Sequence, residues 1–445
     1  MGLTAVDIFK HLPKTNCRDC GVPTCLAFAM KVAQKQASLE DCPHVTEEAK
    51  GALAGESAPP IRLVTVGAGD RKLEIGQETV LFRHENTFQR PCGIAVMLDA
   101  GLDDAAVDAK LDHFRALEFD RVGMMLGISL IAVKGTGEGA RLAAVAQKAS
   151  EALGLPLILM GASAAELAPA ASALKEARPL LHAATAENLE EMVALAKESG
   201  CPLVIQAAGP AELCELTPKA VEAGVQDLIL QTEGASNSAI LQDQTVVRRA
   251  ALTKKERRLG YPTLVLVEDE DALDAAGKAS LAIAKYAGIV VLRNDSKPVL
   301  LAAITARLNV YTDPQKPIQI EAKLYEVGEP TDQSPVLVTT NFSLTYFTVE
   351  GDVSASKVPV WVVVVDTEGT SVLTAWASEK FSAESIAAAI KSSGVEDKVG
   401  HRSIMLPGGV AVLKAKLEDE SGWSVQVGPR ESSGLPTVLR NWSAA

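Results

Sequence analysis

Four of the chain's seven cysteines lie within the first 42 residues, at Cys17, Cys20, Cys25 and Cys42, and Pro43 follows the last of them. Three closely spaced thiolates, with a fourth returning after a helix-length segment, are typical of a site that holds one metal cluster, and a proline after the last ligand is found in bacterial ferredoxins. The spacing therefore predicts a [4Fe-4S] cluster. Structural zinc also accepts four thiolates but more often shows two Cys-x2-Cys pairs, so zinc remains the alternative, followed by a chain without metal.

The residues around these cysteines predict a loop between two helices. A short helix precedes Cys17, and a longer one, with Cys25 in its first turn, is predicted to run to about Gln36. Pro23 suits a helix start, and Gly21 relieves the turn after Cys20. Because the N–H groups at a helix N-terminus stabilise negative charge, the second helix would favour an anionic thiolate cluster.

The chain is acidic, with 56 Asp and Glu residues, 43 Lys and Arg residues and a net charge of -13. Such a surface repels phosphate groups, which argues against nucleic acid and anionic membranes as partners. The first 16 residues lack the layout of a secretory signal, and no apolar run approaches the roughly 20 residues of a membrane span. We therefore expect a cytoplasmic protein with reduced thiols. The other three cysteines, Cys92, Cys201 and Cys214, are expected to be small buried hydrophobic residues.

Two proline-containing linkers, at 51–60 and 312–335, separate three regions of different composition. The sequence predicts a cluster module at 1–58, a larger domain at 59–315 and a third domain at 316–445 that begins with a linker region at 318–335.

The central region predicts a barrel. After a hairpin expected at 62–66 and 79–82, apolar, β-branched runs alternate with amphipathic, alanine-rich segments. The eight runs begin near Ile94, Arg121, Pro156, Pro179, Pro202, Asp227, Thr263 and Ile289. Parallel strands covered on both faces are continuously apolar, so this repeat favours a closed (β/α)8 TIM barrel over an open doubly wound sheet.

Polar side chains stand where the predicted barrel strands end, at Asp99, His182, Gln206, Gln231, Glu233, Glu268 and Asn294. Barrel enzymes place their chemistry at this end of the strands. No nucleophile with a base and no metal-binding trio stands out among them, and a fold alone does not imply an activity. We therefore favour a scaffold or docking role for the barrel over an active site.

The C-terminal region predicts a doubly wound α/β domain, with strands at 336–340, 358–365, 403–406 and 423–427 and a helix at 382–392. Each strand runs into a loop of small or hydroxylated residues. Such loops share one crevice in an open α/β sheet, and small side chains let backbone amides approach a large ligand. Short turns in α/β units also favour Gly, Ser and Thr for local reasons, so a ligand site and simple turn chemistry both remain open.

Several nucleotide and cobalamin motifs are absent. No G-x-G-x-x-G follows the first strand, and no phosphate-binding G-x4-G-K-[ST] occurs. None of the six histidines lies in the Asp-x-His-x-x-Gly arrangement of cobalamin proteins in which histidine ligates cobalt. Any corrinoid bound here would therefore lack a histidine ligand on its lower face.

Taken together, these features resemble the large subunits of corrinoid iron-sulfur proteins of the acetyl-CoA (Wood-Ljungdahl) pathway. The resemblance covers essentially the whole chain and is most specific at 14–30 and 41–43. It implies that Cys17, Cys20, Cys25 and Cys42 hold a [4Fe-4S] cluster and that the C-terminal domain binds a cobamide in the base-off state. By position, the corrinoid-binding residues would be Thr340, Asn341, Tyr346, Gly369, Thr370, Ser371, Val372, Leu373, Thr374, Gly408, Gly409, Arg430, Ser432 and Ser433.

The resemblance also implies a function, that of a methyl carrier and not a freestanding enzyme. The cobamide as Co(I) would accept a methyl group from methyltetrahydrofolate through a separate methyltransferase and deliver it to CO dehydrogenase/acetyl-CoA synthase, and the cluster would reduce stray Co(II) to Co(I). A small subunit would pair with this chain as a heterodimer. Two alternatives remain: a methyltransferase that binds a pterin in its own barrel, and a ferredoxin-like electron-transfer subunit.

Overall fold

The computed structural model describes residues 5–33, 37, 41–46, 59–121, 124–312 and 317–443. The chain divides into two compact units. The first unit comprises Met1–Glu118 and Gly127–Tyr311, and the second comprises Phe119–Leu126 and Thr312–Ala445. Within the described ranges, every helix is too short or too polar to traverse a bilayer.

The N-terminal part of the first unit contains two short helices, α1 at Ala5–His11 and α2 at Cys25–Ala33. They enclose a small core centred on Phe28 and Ile8, which are both 1% exposed. Cys25 and Cys42 belong to the same core. The loop expected between the two helices is therefore present, and the last predicted turn, up to Gln36, lies outside the described residues.

A β-hairpin precedes the barrel and is formed by β1 at Val64–Ala68 and β2 at Arg71–Ile75. The turn contains only Gly69 and Asp70, and Gly69 has the positive φ that such turns favour. The prediction that 79–82 forms the second arm was wrong, because the chain reverses directly at this turn. Val64, Val66 and Ile75 are fully buried in the core that the barrel strands share, so the hairpin plugs the end of the barrel where the strands begin.

The barrel of the first unit contains eight parallel strands in the order β10-β9-β8-β7-β6-β3-β12-β11. A bridge between Leu230 and Thr263 links the two ends of this sheet, so the barrel is nearly closed. The predicted barrel is thereby confirmed. Its strands are β3 Gly93–Asp99, β6 Leu130–Lys134, β7 Leu157–Met160, β8 Leu180–Ala184, β9 Leu203–Ala207, β10 Leu228–Thr232, β11 Leu264–Val267 and β12 Ile289–Leu292.

Helices follow the barrel strands along the chain. They are α3 Asp104–Arg115, α4 Gly139–Leu153, α5 Ala164–Ala173, α6 Leu189–Ser199, α7 Pro210–Glu222, α8 Asn237–Thr253, α9 Ala272–Ala284 and α10 Lys297–Tyr311.

The run expected near Arg121 is not a barrel strand. It forms a small antiparallel hairpin, with β4 at Phe119–Arg121 and β5 at Met124–Leu126, and this hairpin belongs to the second unit. The second barrel strand is β6, which starts at Leu130. Burial explains the difference: Met125 in β5 is 62% exposed, whereas the first four residues of β6 are completely buried, as a barrel strand requires.

The second unit contains a five-stranded sheet in the order β13-β15-β14-β16-β17. Its strands are β13 Leu324–Val327, β14 Val336–Thr340, β15 Val360–Val365, β16 Ser403–Leu406 and β17 Ser424–Val427. The last four are parallel and lie where the sequence predicts them. Strand β13 pairs antiparallel with β15 at the edge and lies in the region that was expected to be a linker.

Helices cover both faces of this sheet. They are α11 Ser343–Ser356, α12 Val372–Ala377, α13 Ala383–Ser393, α14 Lys414–Ser421 and α15 Leu435–Arg440. Helices α11 and α15 contribute to the core that contains Leu337 and Val362, whereas α13 and α14 contribute to the core that contains Val338 and Val363. Adjacent residues of one strand thus face opposite helix layers.

Candidate functional sites

The N-terminal cysteines lie on the loop between α1 and α2 and just beyond α2. Cys17 is exposed and Cys20 half-buried, whereas Cys25 and Cys42 are buried. The Asn16 side chain accepts a hydrogen bond from the Cys25 N–H at 2.8 Å, which fixes the start of α2 against the loop. Two thiols are therefore anchored in the small core, and two stand at its surface.

The spacing of the cysteine sulfurs bears on the choice of metal. A tetrahedral zinc ion with Zn–S bonds of about 2.3 Å requires sulfurs about 3.8 Å apart. Among the described residues, which include all four cysteines, no three cysteine sulfurs lie within 4.8 Å of one another. The sulfurs are thus not gathered at the spacing of a zinc tetrathiolate.

Two polar residues that the sequence analysis missed lie beside Cys17. Ligand atoms of Cys17, Asp19 and His44 lie within 4.8 Å of one another. His44 Nε2 is 2.6 Å from Asp19 Oδ2, and hydrogen bonds from His44 first and Cys17 second hold the pKa of Asp19 below its ordinary value. Asp19 lies between two predicted ligands in the sequence, and His44 follows Cys42 by two residues. This proximity is the only sequence signal that could have identified them.

The second unit has a cavity of about 450 Å³ at the carboxyl ends of β14 and β16. The chain leaves β14 through α11 on one face of the sheet and leaves β15 through helices on the other face. This makes the β14/β16 junction the topological switch point of the sheet, where open α/β proteins bind their ligands. The cavity thus lies where the sequence analysis placed a crevice.

Six of the predicted corrinoid-binding residues line this cavity: Ser371, Val372, Leu373, Gly409, Arg430 and Ser432. The other eight lie nearby in the chain but do not line it: Thr340, Asn341, Tyr346, Gly369, Thr370, Thr374, Gly408 and Ser433. Residues of α11 also line the cavity, among them Leu344 and Thr345, which lie within the predicted region 340–346 but were not singled out, and Thr348, which the sequence analysis missed. Their spacing, which places them on one side of a helix, was the available sequence signal, but the prediction considered only loop residues.

Tyr346 and Gly408, which do not line the cavity, contribute to packing instead. Tyr346 is 3% exposed, and its ring lies 4.7 Å from that of Tyr325 and 5.1 Å from that of Phe347, centroid to centroid. Burial raises the pKa of its phenol. A side chain at Gly408 would collide with the backbone of Gly428, so this glycine lets the loops after β16 and β17 pack together.

Asn341 connects the end of β14 to the loop after β15. Its Oδ1 atom accepts hydrogen bonds from the backbone N–H groups of Thr367 and Gly369 and from the Thr367 hydroxyl, each at 3.0 Å. Its Nδ2 atom donates to Asp366 at 2.9 Å and to Gln319 at 3.1 Å. With 3% exposure, Asn341 is a buried anchor for the loop that leads to the cavity residues Ser371–Leu373.

Thr339 lines the cavity and has a buried, unpaired hydroxyl. Its side chain is 1% exposed and lines the cavity, and its hydroxyl has no hydrogen-bond partner among the described residues. The adjacent Thr340 is equally buried and unpaired but does not line the cavity. A buried hydroxyl without a partner is costly, so the hydroxyl of Thr339 suits a ligand that can reach it.

This pair of threonines allows a matched test. We expect Thr339→Val and Thr340→Val each to raise the free energy of unfolding of ligand-free protein by about 1 kcal/mol, because each removes an unsatisfied buried hydroxyl. Only Thr339→Val should weaken corrinoid binding, by about three- to tenfold, as expected for one neutral hydrogen bond. Urea denaturation and absorbance titration measure the two effects. Equal corrinoid affinities in the two variants would contradict the assignment of the Thr339 hydroxyl.

The carboxyl end of the barrel contains a separate group of polar residues. Of the predicted strand-end residues, Gln206, Gln231, Glu233 and Glu268 line a cavity of about 470 Å³. His182 is buried beside them, with Nε2 2.7 Å from Gln231 Oε1. Asp99 and Asn294 instead accept hydrogen bonds from the backbone N–H groups of their own turns.

The burial of His182 predicts how the stability of the protein depends on pH. Burial, partly opposed by the hydrogen bond to Gln231, lowers the pKa of His182 below its ordinary value of 6.5. Below pH 6.5 the unfolded chain therefore binds a proton that the folded chain does not, so stability falls as the pH decreases from 6.5 towards the folded pKa. We expect His182→Gln to lose less stability than the unmodified chain between pH 7 and about 5.5. Urea denaturation across this range measures the difference, and parallel pH profiles would contradict it.

Comparison with known proteins supplies a family. A family model described as "CO dehydrogenase/acetyl-CoA synthase delta subunit" matches residues 63–439, and one described as "Putative Fe-S cluster" matches residues 12–44. The chain is 46% identical over 442 residues to the "Corrinoid/iron-sulfur protein large subunit" of Moorella thermoacetica, with 99% of each chain covered.

Two further relatives are each named "Acetyl-CoA decarbonylase/synthase complex subunit gamma". The one from Methanopyrus kandleri is 35% identical, with 98% of this chain and 97% of the relative covered. The one from Methanothermobacter thermautotrophicus is 32% identical, with 99% of each covered.

Proposed function

Because the chain belongs to the family of corrinoid/iron-sulfur protein large subunits, we propose that it is a methyl carrier of the acetyl-CoA pathway, with an N-terminal iron-sulfur cluster and a C-terminal corrinoid. The resemblance derived from the cysteine segment and the terminal domain is thereby confirmed at the level of the family. The proposal goes further, to the cluster type, the corrinoid state and the partners.

The cavity at the switch point of the second unit carries this proposal. Its lining includes Leu344 and Leu373, each 57% exposed, so apolar side chains border the opening, and Thr339, whose buried hydroxyl is unpaired, belongs to the same lining. A large, flat macrocycle with polar side groups matches such a surface better than a small polar ligand does. Arg430 at the same rim offers positive charge to a phosphate group of a cobamide.

The residues of the cavity support a base-off corrinoid. No histidine is present among the described residues that line it, so the lower face of the ring would have no imidazole ligand. When bound, a cobamide without this ligand supplies a nucleophilic cobalt that takes a methyl group from methyltetrahydrofolate and releases it to acetyl-CoA synthase. The residues that line the cavity, among them Leu344, Leu373 and Arg430, would hold the ring.

The N-terminal cysteines would hold the electron source. We assign the four cluster corners to Cys17, Cys20, Cys25 and Cys42, because the last three pack at one small core, Cys17 lies on the same loop as Cys20, and the sulfurs are not gathered at the spacing of a zinc tetrathiolate. A [4Fe-4S] cluster in this module would return an oxidised corrinoid to its active state. The division into a cluster module at 1–58, a barrel at 59–315 and a corrinoid domain at 316–445 belongs to the same proposal.

The exposed apolar side chains of the second unit fit a protein partner. Leu373, Trp376 and Val412 are 57%, 42% and 72% exposed. We propose that the small subunit of a heterodimer covers the open face of the corrinoid here, and that the methyltetrahydrofolate methyltransferase and CO dehydrogenase/acetyl-CoA synthase bind in turn. These exchanges would take place in the cytoplasm.

Metal and corrinoid analysis of protein purified without oxygen tests the proposal. We expect iron, acid-labile sulfide and cobalt, together with the visible absorption of a base-off corrinoid. Zinc in place of iron and no corrinoid would overturn the proposal. Iron and sulfide without cobalt would instead indicate an electron-transfer subunit, and transfer of the methyl group from methyltetrahydrofolate by the isolated chain, without a separate methyltransferase, would indicate a methyltransferase.

A further inference from the structure

The cavity of about 470 Å³ at the carboxyl end of the barrel has no part in the proposed carrier function. Its volume lies within the range of small-molecule sites, which is roughly 300–1,000 Å³. It also lies at the end of the barrel where the strands run into their loops, which is where barrel proteins bind ligands. The polar groups that line it can therefore be examined as a binding site.

Two buried amides form the inner part of this cavity. Gln231 and Gln244 are 5% and 3% exposed. The Oε1 atom of Gln231 accepts from His182 Nε2 at 2.7 Å, and that of Gln244 accepts from the Thr263 hydroxyl at 2.5 Å. Neither amide nitrogen donates to any group in the part of the chain that the structure describes. Because neither nitrogen is sealed from solvent, these amides can donate to a ligand with a hydrogen-bond acceptor.

The outer part of the cavity has uncompensated negative charge. Glu268 forms no hydrogen bond or ion pair with a described residue, and Glu233 accepts only from Gln206 Nε2, at 3.3 Å. The one lysine that lines the cavity, Lys278, is 14% exposed at its side chain and already paired with Asp269 at 2.6 Å. The outer carboxylates therefore suit N–H donors on a ligand.

Apolar side chains also line the cavity. Ile240, Val265 and Leu266 line it and can contact the faces of a flat ring. We propose that the barrel mouth binds a planar heterocyclic amide with an amino group, whose ring carbonyl accepts from Gln231 and Gln244 and whose amino group donates to Glu268. This site is distinct from the cavity of the second unit and independent of the carrier function.

A pair of small probes tests the site in the full chain. We use 2-amino-6-methylpyrimidin-4-one and its counterpart without the amino group, 6-methylpyrimidin-4-one, in isothermal titration and ligand-observed NMR. We expect saturable binding of one amino compound per chain and at least about tenfold weaker binding of the counterpart, since it lacks the donor for a charged acceptor.

Three variants locate the binding. Glu268→Gln should weaken binding of the amino compound by about tenfold and leave binding of the counterpart unchanged, because only the amino group contacts this carboxylate. Gln244→Met should weaken the binding of both probes. Glu187→Gln, at an exposed carboxylate on another barrel loop, should change neither. If Gln244→Met does not fold, the comparison of Glu268→Gln with Glu187→Gln alone tests the proposed site. Absence of saturable binding, or equal affinity of the amino compound for Glu268→Gln and Glu187→Gln, would overturn the proposal.

Discussion

Cys20→Ala is expected to abolish reductive reactivation of the protein and to leave methyl transfer unchanged when the protein is reduced beforehand. Cys20 is a half-buried thiol on the loop between α1 and α2, and we assign it one corner of the cluster. A cluster that loses one thiolate has a changed potential or does not assemble. The residues of the corrinoid cavity all belong to the other unit, so the methyl-transfer surface should stay intact.

Two assays separate these effects. Iron content with an electron paramagnetic resonance spectrum reports the cluster, and a single-turnover assay with chemically reduced protein reports methyl transfer. Cys214→Ala is the matched control, because Cys214 is also a half-buried free thiol but lies on a barrel helix. It should retain both activities. Loss of methyl transfer from fully reduced Cys20→Ala would contradict the division of roles between the two ends of the chain.

The barrel was predictable because its strands are buried on both faces. Residues such as Ile158 and Val290 lie in continuous apolar runs and are completely buried, so hydrophobicity alone identifies them. The same criterion failed at Met125, where an apolar run forms a hairpin with only one side buried. It also failed at Arg71–Ile75, since this strand carries exposed charged residues and its position depends on the turn at Gly69.

The candidate sites were predictable only in part, for a related reason. The four cysteines could be predicted as cluster ligands because the spacing of such ligands along a chain is fixed by local geometry. The cavity of the second unit depends on which strands become neighbours, so the sequence could indicate the loops but not the contribution of Thr348 from α11. The anchoring role of Asn341 could not be predicted either, because its partners Gln319 and Thr367 are distant in the chain.

Asn341→Ala is expected to have the largest effect on corrinoid binding among substitutions that do not line the cavity. The change leaves the N–H groups of Thr367 and Gly369 without their acceptor, and Thr367 is completely buried. Unsatisfied buried donors cost about 1–3 kcal/mol each. We therefore expect the second unit to lose about 3 kcal/mol of stability and the loop before Ser371 to lose its fixed position.

A loop that is no longer held in place must be ordered by the ligand, so the corrinoid affinity of Asn341→Ala should fall by about a hundredfold. Asn341→Asp should not restore the affinity, since it retains the Oδ1 acceptor but replaces the Nδ2 donor with a carboxylate oxygen beside Asp366. Asn441→Ala is the control, because this exposed residue donates only to the Thr437 carbonyl. Absorbance titration measures the affinity, and amide hydrogen exchange at Thr367 and Gly369 reports the loop. Faster exchange with unchanged affinity would show that the loop is anchored by Asn341 but does not contribute to corrinoid binding, which would contradict the placement of Ser371–Leu373 at the corrinoid.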